Sequence, residues 1–367
     1  MRILVDIRLL SKGGQSGIEE YTVQLLNNLF QSNSTHQWQL FYQGWRKAPL
    51  PNNWSSDNTI KIIDWQYPNK LFDIWRPKID NHVATDLVYS PHLNIIRANH
   101  APRILTIHDL SFIHHPYFFS LKHRLWHKIQ SYKNQIKTAS VIVTNSVYTK
   151  NDLINTLSVQ PEKIHAIYPG TNPKLKKMDF TRPEKLKFPY ILYLGTIEPR
   201  KNIPLIIKAF NIVKQKNNFR DLKLILAGKA GWLYEKIFQE AEKSRHKSDI
   251  IFWGLVHSEE KNMLYNLAEA FVYPSFLEGF GFPPLEAQAC GCPVIASNRA
   301  SLPEVLGQSA LMVNPWKEKD LVDKLEAVLT DANLKNKLIA EGFKNAQRFN
   351  WKKTACELLK LFSRFSS

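Results

Sequence analysis

At 367 residues, with 44% hydrophobic and 12% aromatic residues, the chain is too long for one ordinary core and too apolar to be disordered. Its 49 Lys and Arg against 32 Asp and Glu give a formal charge of +17, which attracts phosphates, anionic lipid or nucleic acid. The three cysteines, two of them one glycine apart, fit neither a disulfide framework nor the common zinc spacings, and read as buried reduced thiols of a cytoplasmic protein.

The elements alternate from the N-terminus onward. Strands are expected at Arg2–Asp6, Trp38–Tyr42, Ile60–Asp64, Leu87–Ser90, Ile104–Ile107, Val141–Thr144 and Ile164–Tyr168. A second series runs through Tyr190–Leu194, Leu222–Ala227, Ile250–Trp253, Ala270–Pro274, Val294–Ser297 and Ala310–Val313. Most are continuous apolar runs, as parallel strands covered on both faces require, and helical patterns lie between them. That rhythm predicts an α/β protein of two doubly wound Rossmann-like domains. The Pro- and Lys-rich stretch 168–190 is the best linker, with the boundary at 178/179. The opening MRILVDIRLLSKGG is too short in apolar run for a secretory leader, and no run reaches the roughly 20 apolar residues of a bilayer span.

Gly13, Gly14 and Gly17 miss the dinucleotide spacing GxGxxG and read as close-approach glycines after the first strand. His108 closes another strand, where it suits a structural pairing with Asp109 or a substrate contact as hydrogen-bond donor or acceptor. Residues 121–137 hold Lys122, Arg124, Lys128, Lys133 and Lys137 with no acid, and Leu121, Leu125, Ile129, Tyr132 and Ile136 recur at helical spacing. The stripe is expected to pack into its own domain, while the basic face suits the inner surface of an anionic membrane.

After Tyr190–Leu194 come a glycine turn at Gly195 and then Arg200 and Lys201, just ahead of a helix expected near Ile203. Cations are disfavoured at a helix N-terminus by a few tenths to about 1 kcal/mol each, so the pair points to a shared anion. Arg can grip phosphate bidentately and Lys acts as a point charge. After Ala270–Pro274, the loop EGFGFPPLE places Glu278 and Glu286 around Gly279 and Gly281, with a helix expected to start near Pro283. Free N–H groups at that helix start favour a diphosphate, and carboxylates accept hydrogen bonds from vicinal sugar hydroxyls. Taken singly, the two would also suit a loop acid and a helix-capping acid. Residues 349–365 read as one amphipathic helix in which Trp351, Cys356, Leu358, Leu359 and Phe362 are available to pack.

The unbroken run SFLEGFGFPPLEAQACGCPVIASNRASLPEVLG (275–307), with LGTIEPRKN (194–202) before it, resembles the retaining glycosyltransferases of family 4, which have the GT-B fold. GQSGIEEYTVQLL (14–26), ILTIHDLSFIHHP (104–116) and VIVTNSVYTKNDL (141–153) also have counterparts there, so the resemblance spans essentially the whole chain. It is most similar to bacterial mannosyltransferases that build O-antigen and related polysaccharides. The resemblance implies an acceptor-side domain over residues 1–178, with the last helix, residues 349–367, crossing back onto it. A nucleotide-sugar domain over 179–348 would face it across a cleft. It further implies Glu286 on the ribose, Glu278 on the transferred sugar, and Arg200 and Lys201 neutralising the departing diphosphate. Gly281 and Phe282 would offer backbone amides, Gly228 would admit the base, and Gly195, Gly279 and Phe280 complete the donor-binding set. The loop around Gly14 and Gly17 would face the acceptor, although Glu19 and Glu20 depart from the family pattern there. His108 would lie near the sugar's outer hydroxyls.

The expected activity is therefore transfer of a hexose, mannose from GDP-mannose, to a saccharide or lipid-linked saccharide with retention. UDP-glucose or UDP-N-acetylglucosamine as donor is the alternative, and a nucleotide-sugar epimerase a more distant one. No metal or other cofactor is expected: the chain has no Asp-x-Asp, so protein cations would replace a divalent ion. Nucleic acid is not expected as a partner, because no recognisable nucleic-acid module is present.

Overall fold

The apolar runs become parallel strands in a computed structural model that describes residues 1–12, 17–32, 35–43, 50–55, 57–65, 75 and 77–366. The chain folds into two compact units, Met1–Leu110 with Leu121–Gly170 and Asn350–Ser367, and Ser111–Ser120 with Thr171–Phe349.

In the first unit the strands are β1 (Arg2–Asp6), β2 (Gln37–Gln43), β3 (Ile60–Trp65), β4 (Leu87–Ser90), β5 (Arg103–Ile107), β6 (Val141–Thr144) and β7 (Ile164–Ala166). They form one parallel sheet in the order β3-β2-β1-β4-β5-β6-β7. β1, β4 and β5 lie in the middle and are buried along nearly their whole length, which is why their sequences are unbroken apolar runs. The C-terminal helix Trp351–Phe362 buries Trp351, Thr354, Ala355, Leu358, Leu361 and Phe362 in this unit. Thr354 Oγ1 donates to the Tyr168 carbonyl at 2.7 Å, and Phe362 meets Tyr89 with ring centres 5.4 Å apart. Cys356, expected to pack, is exposed: the face that seats the helix runs through its neighbours Ala355 and Leu358.

The basic segment differs from expectation. It forms two helices, Leu121–Ile129 and Tyr132–Thr138, broken at Ser131, whose φ of 47° takes the chain out of helical geometry. Gln130 fixes the break. Its side chain accepts from the Ile95 N–H at 2.6 Å, and its carbonyl accepts from Gln135 Nε2 at 2.7 Å. Side chains of the first helix are half-buried, as at His127, or exposed, with Leu121, Leu125 and Ile129 at 78%, 59% and 41% exposure. The apolar stripe therefore reaches the core only at Ile136.

In the second unit the strands are β8 (Tyr190–Leu194), β9 (Lys223–Ala227), β10 (Ile250–Gly254), β11 (Ala270–Tyr273), β12 (Val294–Ser297) and β13 (Leu311–Val313), in the order β10-β9-β8-β11-β12-β13. Thr171–Met178 also belongs here, eight residues before the expected boundary, because the backbone N–H groups of Lys176 and Met178 donate to Asn262 and Asn266 at 3.2 and 2.9 Å. Cys290 and Cys292 are buried thiols, and burial pushes Cys290 up to about 12. Strand order reverses direction between β8 and β11. In open α/β sheets that switch point, at the carboxyl ends of the strands, is where ligands bind.

Candidate active site

The chain leaving β8 reaches the switch point through a tight turn, Pro199–Lys201, and enters the helix Ile203–Lys214 at Asn202. Asn202 is left-handed at φ 56°, a conformation asparagine tolerates better than most residues. Its side-chain amide is buried and donates to the carbonyls of Pro274 and Pro315 at 3.3 and 2.7 Å, which fastens the turn to the loop after β11. Arg200 and Lys201 are thereby aimed at Glu278. Lys201 Nζ lies 2.6 Å from Glu278 Oε1 and donates at 2.6 Å to the Tyr273 hydroxyl. Arg200 donates from Nη1 to the Leu277 carbonyl at 2.9 Å and to Glu278 Oε2 at 3.2 Å. From Nε and Nη2 it reaches Glu198 Oε1, at 3.0 and 2.8 Å.

Two cations and two carboxylates thus form one nearly dry cluster, with side chains 2–15% exposed. This explains how Arg200 and Lys201 stand ahead of a helix: Glu198 and Glu278 carry the compensating charge. Burial pushes the Glu278 carboxyl up, but Arg200 and Lys201 outweigh it and hold the group below its ordinary value. For Lys201 burial dominates, reinforced by Arg200, and the ammonium sits below its ordinary value against the pull of Glu278.

The Glu278 carbonyl accepts from Ser301 Oγ at 2.9 Å, which pins the loop from the other side. Gly279 is buried, and Gly281 caps the next helix at φ 96°, where a Cβ would come within 2.5 Å of Leu302. Both the left-handed backbone and the lack of space demand glycine. The helix Phe282–Ala289 follows with Pro283 and Pro284 in its first turn, where a missing N–H costs nothing. Phe280 belongs to the core and not to a ligand surface. It is 2% exposed and packs on Phe282 and Phe349 with ring centres 5.1 and 5.4 Å away.

Glu286 lies one turn into that helix and is 2% exposed. Its Oε1 receives Lys261 Nζ at 2.6 Å and its Oε2 receives the Tyr265 hydroxyl at 2.9 Å. Lys261 and Tyr265 are four residues apart on the helix Ser258–Leu267, so one helical face presents both donors. The two glutamates consequently sit in separate networks. Gly228 has a reason within the protein itself. Its φ is 131°, and a Cβ there would fall 2.0 Å from the Gly195 carbonyl oxygen, so the neighbouring backbone demands the glycine.

In the first unit the corresponding switch point lies between β1 and β4. Asp6 and Arg8 form a buried ion pair there at 2.7 Å, and Arg8 also holds the Ile95 carbonyl at 2.8 Å. His108 accepts from or donates to two neighbours: Nε2 lies 2.9 Å from the Pro91 carbonyl and Nδ1 3.4 Å from Asn145 Nδ2. A carbonyl can only accept, so Nε2 carries the proton, and both ring nitrogens are engaged internally rather than presented to a sugar. Its ring stands edge-on to Tyr21 at 4.8 Å, and the Asp109 charge acts on it as well. Gly17 begins the helix Gly17–Gln31, and a Cβ there would meet nothing within 4 Å, so no neighbour among the described residues requires a glycine. Gly13 and Gly14 lie outside the described residues.

Sequence reasoning missed Glu198, Lys261, Tyr265 and the Asp6–Arg8 pair. The signals were present as an acid two residues before Arg200 and a Lys-x-x-x-Tyr spacing ahead of β11. Among the described residues no group of three or more His, Cys, Asp or Glu side chains could hold a metal ion, and no helix is long and apolar enough to cross a membrane.

The family model Glycosyltransferase Family 4 matches residues 15–175 and the model Glycosyl transferases group 1 matches residues 176–345. The chain is 30% identical over 266 residues to the O-antigen chain mannosyltransferase B of Escherichia coli, covering 71% of this chain and 69% of the relative. It is 28% identical over 333 residues to the O-antigen chain mannosyltransferase RfbU of Salmonella typhimurium, covering 86% and 88%. In backbone it is similar to Anabaena Alr3699/HepE, solved in complex with UDP-glucose, with a TM-score of 0.76 over 99% of this chain and 100% of that one, at 16% identity.

Proposed function

Because the chain belongs to the family 4 glycosyltransferases and has their GT-B fold, we propose that it transfers mannose from GDP-mannose to a saccharide or lipid-linked saccharide. Anomeric configuration is retained, no metal is used, and the product is a surface polysaccharide. The observation that carries this reading is the Arg200–Lys201–Glu278 cluster at the β8/β11 switch point. Mannose is supported by the two relatives, both O-antigen chain mannosyltransferases.

The chemistry follows from the placement of charge. Arg200 and Lys201 take the diphosphate, while Glu278, released from part of its pairing, accepts hydrogen bonds from hydroxyls of the transferred hexose. Glu286, held by Lys261 and Tyr265, accepts from the ribose. The C1–O bond to the diphosphate breaks as the bond from C1 to the acceptor oxygen forms on the same face. The acceptor's proton passes to the departing phosphate oxygen, so the protein needs no general base there. Positioning and fixed charge in a dry site then supply the rate. His108 contributes by packing, since its nitrogens are engaged by Pro91 and Asn145.

The projecting helix Leu121–Ile129, with Leu121, Leu125 and Ile129 exposed beside Lys122, Arg124 and Lys128, suits a cytoplasmic enzyme resting on the anionic inner face of a membrane. A UDP-sugar donor is the second reading, favoured by the UDP-glucose complex of the Anabaena neighbour. A thermal-shift screen against GDP-mannose, UDP-glucose and UDP-N-acetylglucosamine separates the two. The donor that binds the native state raises the melting temperature, and a rise with a UDP-sugar alone would reject GDP-mannose.

A further inference from the structure

One surface of the second unit is explained neither by the core nor by the donor cluster. Segment Ser111–Ser120 belongs to this unit and lays Tyr117 and Phe118 beside the loop that carries Glu278. Tyr117 and Phe118 have ring centres 4.6 Å apart; Phe118 stacks on Phe276 at 5.4 Å and 17°; Phe276 meets Trp316 at 5.4 Å. Arg299 covers one side of Trp316, its guanidinium carbon 4.8 Å from the ring centre. Phe118 is buried and Phe276 half-buried, whereas the ends of the row are open: Tyr117 is 64% and Trp316 60% exposed.

The row is tied to the reaction site at two points. The Phe276 N–H donates to the Arg200 carbonyl at 3.0 Å, and Trp316 follows Pro315, whose carbonyl receives the Asn202 amide. Large exposed aromatic rings next to a reaction site are costly to leave in water and mark a ligand surface. A pyranose ring presents a face of C–H bonds that packs flat on an aromatic ring, while its hydroxyls stay available to a neighbouring cation such as Arg299.

We infer that Tyr117, Phe276 and Trp316 form a platform for the saccharide acceptor, with Trp316 stacking against a pyranose ring and Arg299 hydrogen-bonding its hydroxyls. This rests on the transferase reading above and adds to it where the chain of the acceptor lies. The platform is placed to hold a sugar residue beyond the one that is glycosylated, so it sets affinity for longer acceptors and leaves the bond-making step alone.

Initial rates with wild type, Trp316→Ala, Trp316→Phe and Tyr117→Ala test it, using the donor selected by thermal shift and an α-linked mannotetraose as acceptor. Trp316→Ala is expected to raise the acceptor KM about tenfold or more, with donor KM and the saturated rate near wild type, and Trp316→Phe to restore most of the loss. An unchanged acceptor KM, or a rise in donor KM instead, overturns the platform. Saturation-transfer NMR of the tetraose with the donor-free protein decides the matter if no turnover is seen. A signal present in wild type and lost in Trp316→Ala supports the platform even though the transferase reading has failed, and no signal in wild type overturns it.

Discussion

Lys201 Nζ and Glu278 Oε1 lie 2.6 Å apart although 77 residues separate them in the chain. The contact exists because β8 and β11 are neighbours and both deliver their loops to the same end of the sheet. Arg200, 3.2 Å from the other oxygen of Glu278, completes the charge cluster.

Arg200→Ala removes the guanidinium proposed to stabilise the leaving diphosphate. The expected loss in kcat is about 10²–10³-fold, the usual scale for deleting one charge-stabilising donor. Single-turnover assay measures it. Turnover within threefold of wild type would reject the assignment.

If Arg200 and Lys201 replace a divalent ion, activity persists when EDTA is added. Rates in excess chelator are expected to equal those without it. Loss restored only by added Mg²⁺ or Mn²⁺ would contradict the metal-free mechanism.

Tyr265→Phe deletes the hydroxyl that meets Glu286 Oε2 at 2.9 Å and leaves the ring in place. A hydrogen bond to a charged group is worth about 1.5–3 kcal/mol, so donor affinity should fall roughly tenfold or more while acceptor KM stays constant. Calorimetric titration with the donor reads this directly. Equal affinity in the variant would show that Tyr265 does not orient the carboxylate.

His127 gives the fold a sensitivity to acid. Burial lowers its pKa to about 4, against the opposing charge of Asp109. The unfolded imidazole, near 6.5, binds its proton first, so stability is full above about pH 6.5 and falls as the pH descends toward 4. Urea midpoints across that interval should decline in wild type and decline less in His127→Asn. Parallel curves for the two proteins would remove His127 from the account.

Leu125→Glu places a negative charge on the exposed face of the helix Leu121–Ile129. Sedimentation with vesicles rich in phosphatidylglycerol is expected to drop several-fold, with activity on a soluble acceptor unchanged. Equal sedimentation would mean that this helix is not the membrane contact.

Much of the fold was legible because a parallel strand covered on both faces has to be written as an unbroken apolar run; Val141–Thr144 and Val294–Ser297 are read from sequence to the residue. The identities of Arg200, Lys201, Glu278 and Glu286 were legible for a similar reason, since charges beside glycine turns and helix starts need a purpose. Their partners were not. Nothing local says that Glu286 will be met by Lys261 and Tyr265 from another helix, or that the space above Gly228 belongs to Gly195. Periodicity placed Leu121, Leu125 and Ile129 on one helical face, but the direction of that face depends on the break at Ser131, which Gln130 fixes through Ile95. Phe280 misled in the opposite sense: it stands inside a ligand motif, yet its ring belongs to the core.

The mutual cancellation of Glu198, Arg200, Lys201 and Glu278 has a bearing on which molecules stay bound. An isolated anion would have to part cations from buried carboxylates and leave Glu278 stranded, a costly outcome in a dry setting. On the proposed reading a sugar diphosphate would avoid that penalty, its hydroxyls taking up the carboxylate as its phosphates take up the cations. Once the hexose had been handed on, the spent nucleotide would have only half of this exchange to offer. Glu278 would then reclaim Lys201, and the same ion pair that kept ambient phosphate out would drive the departure of the product.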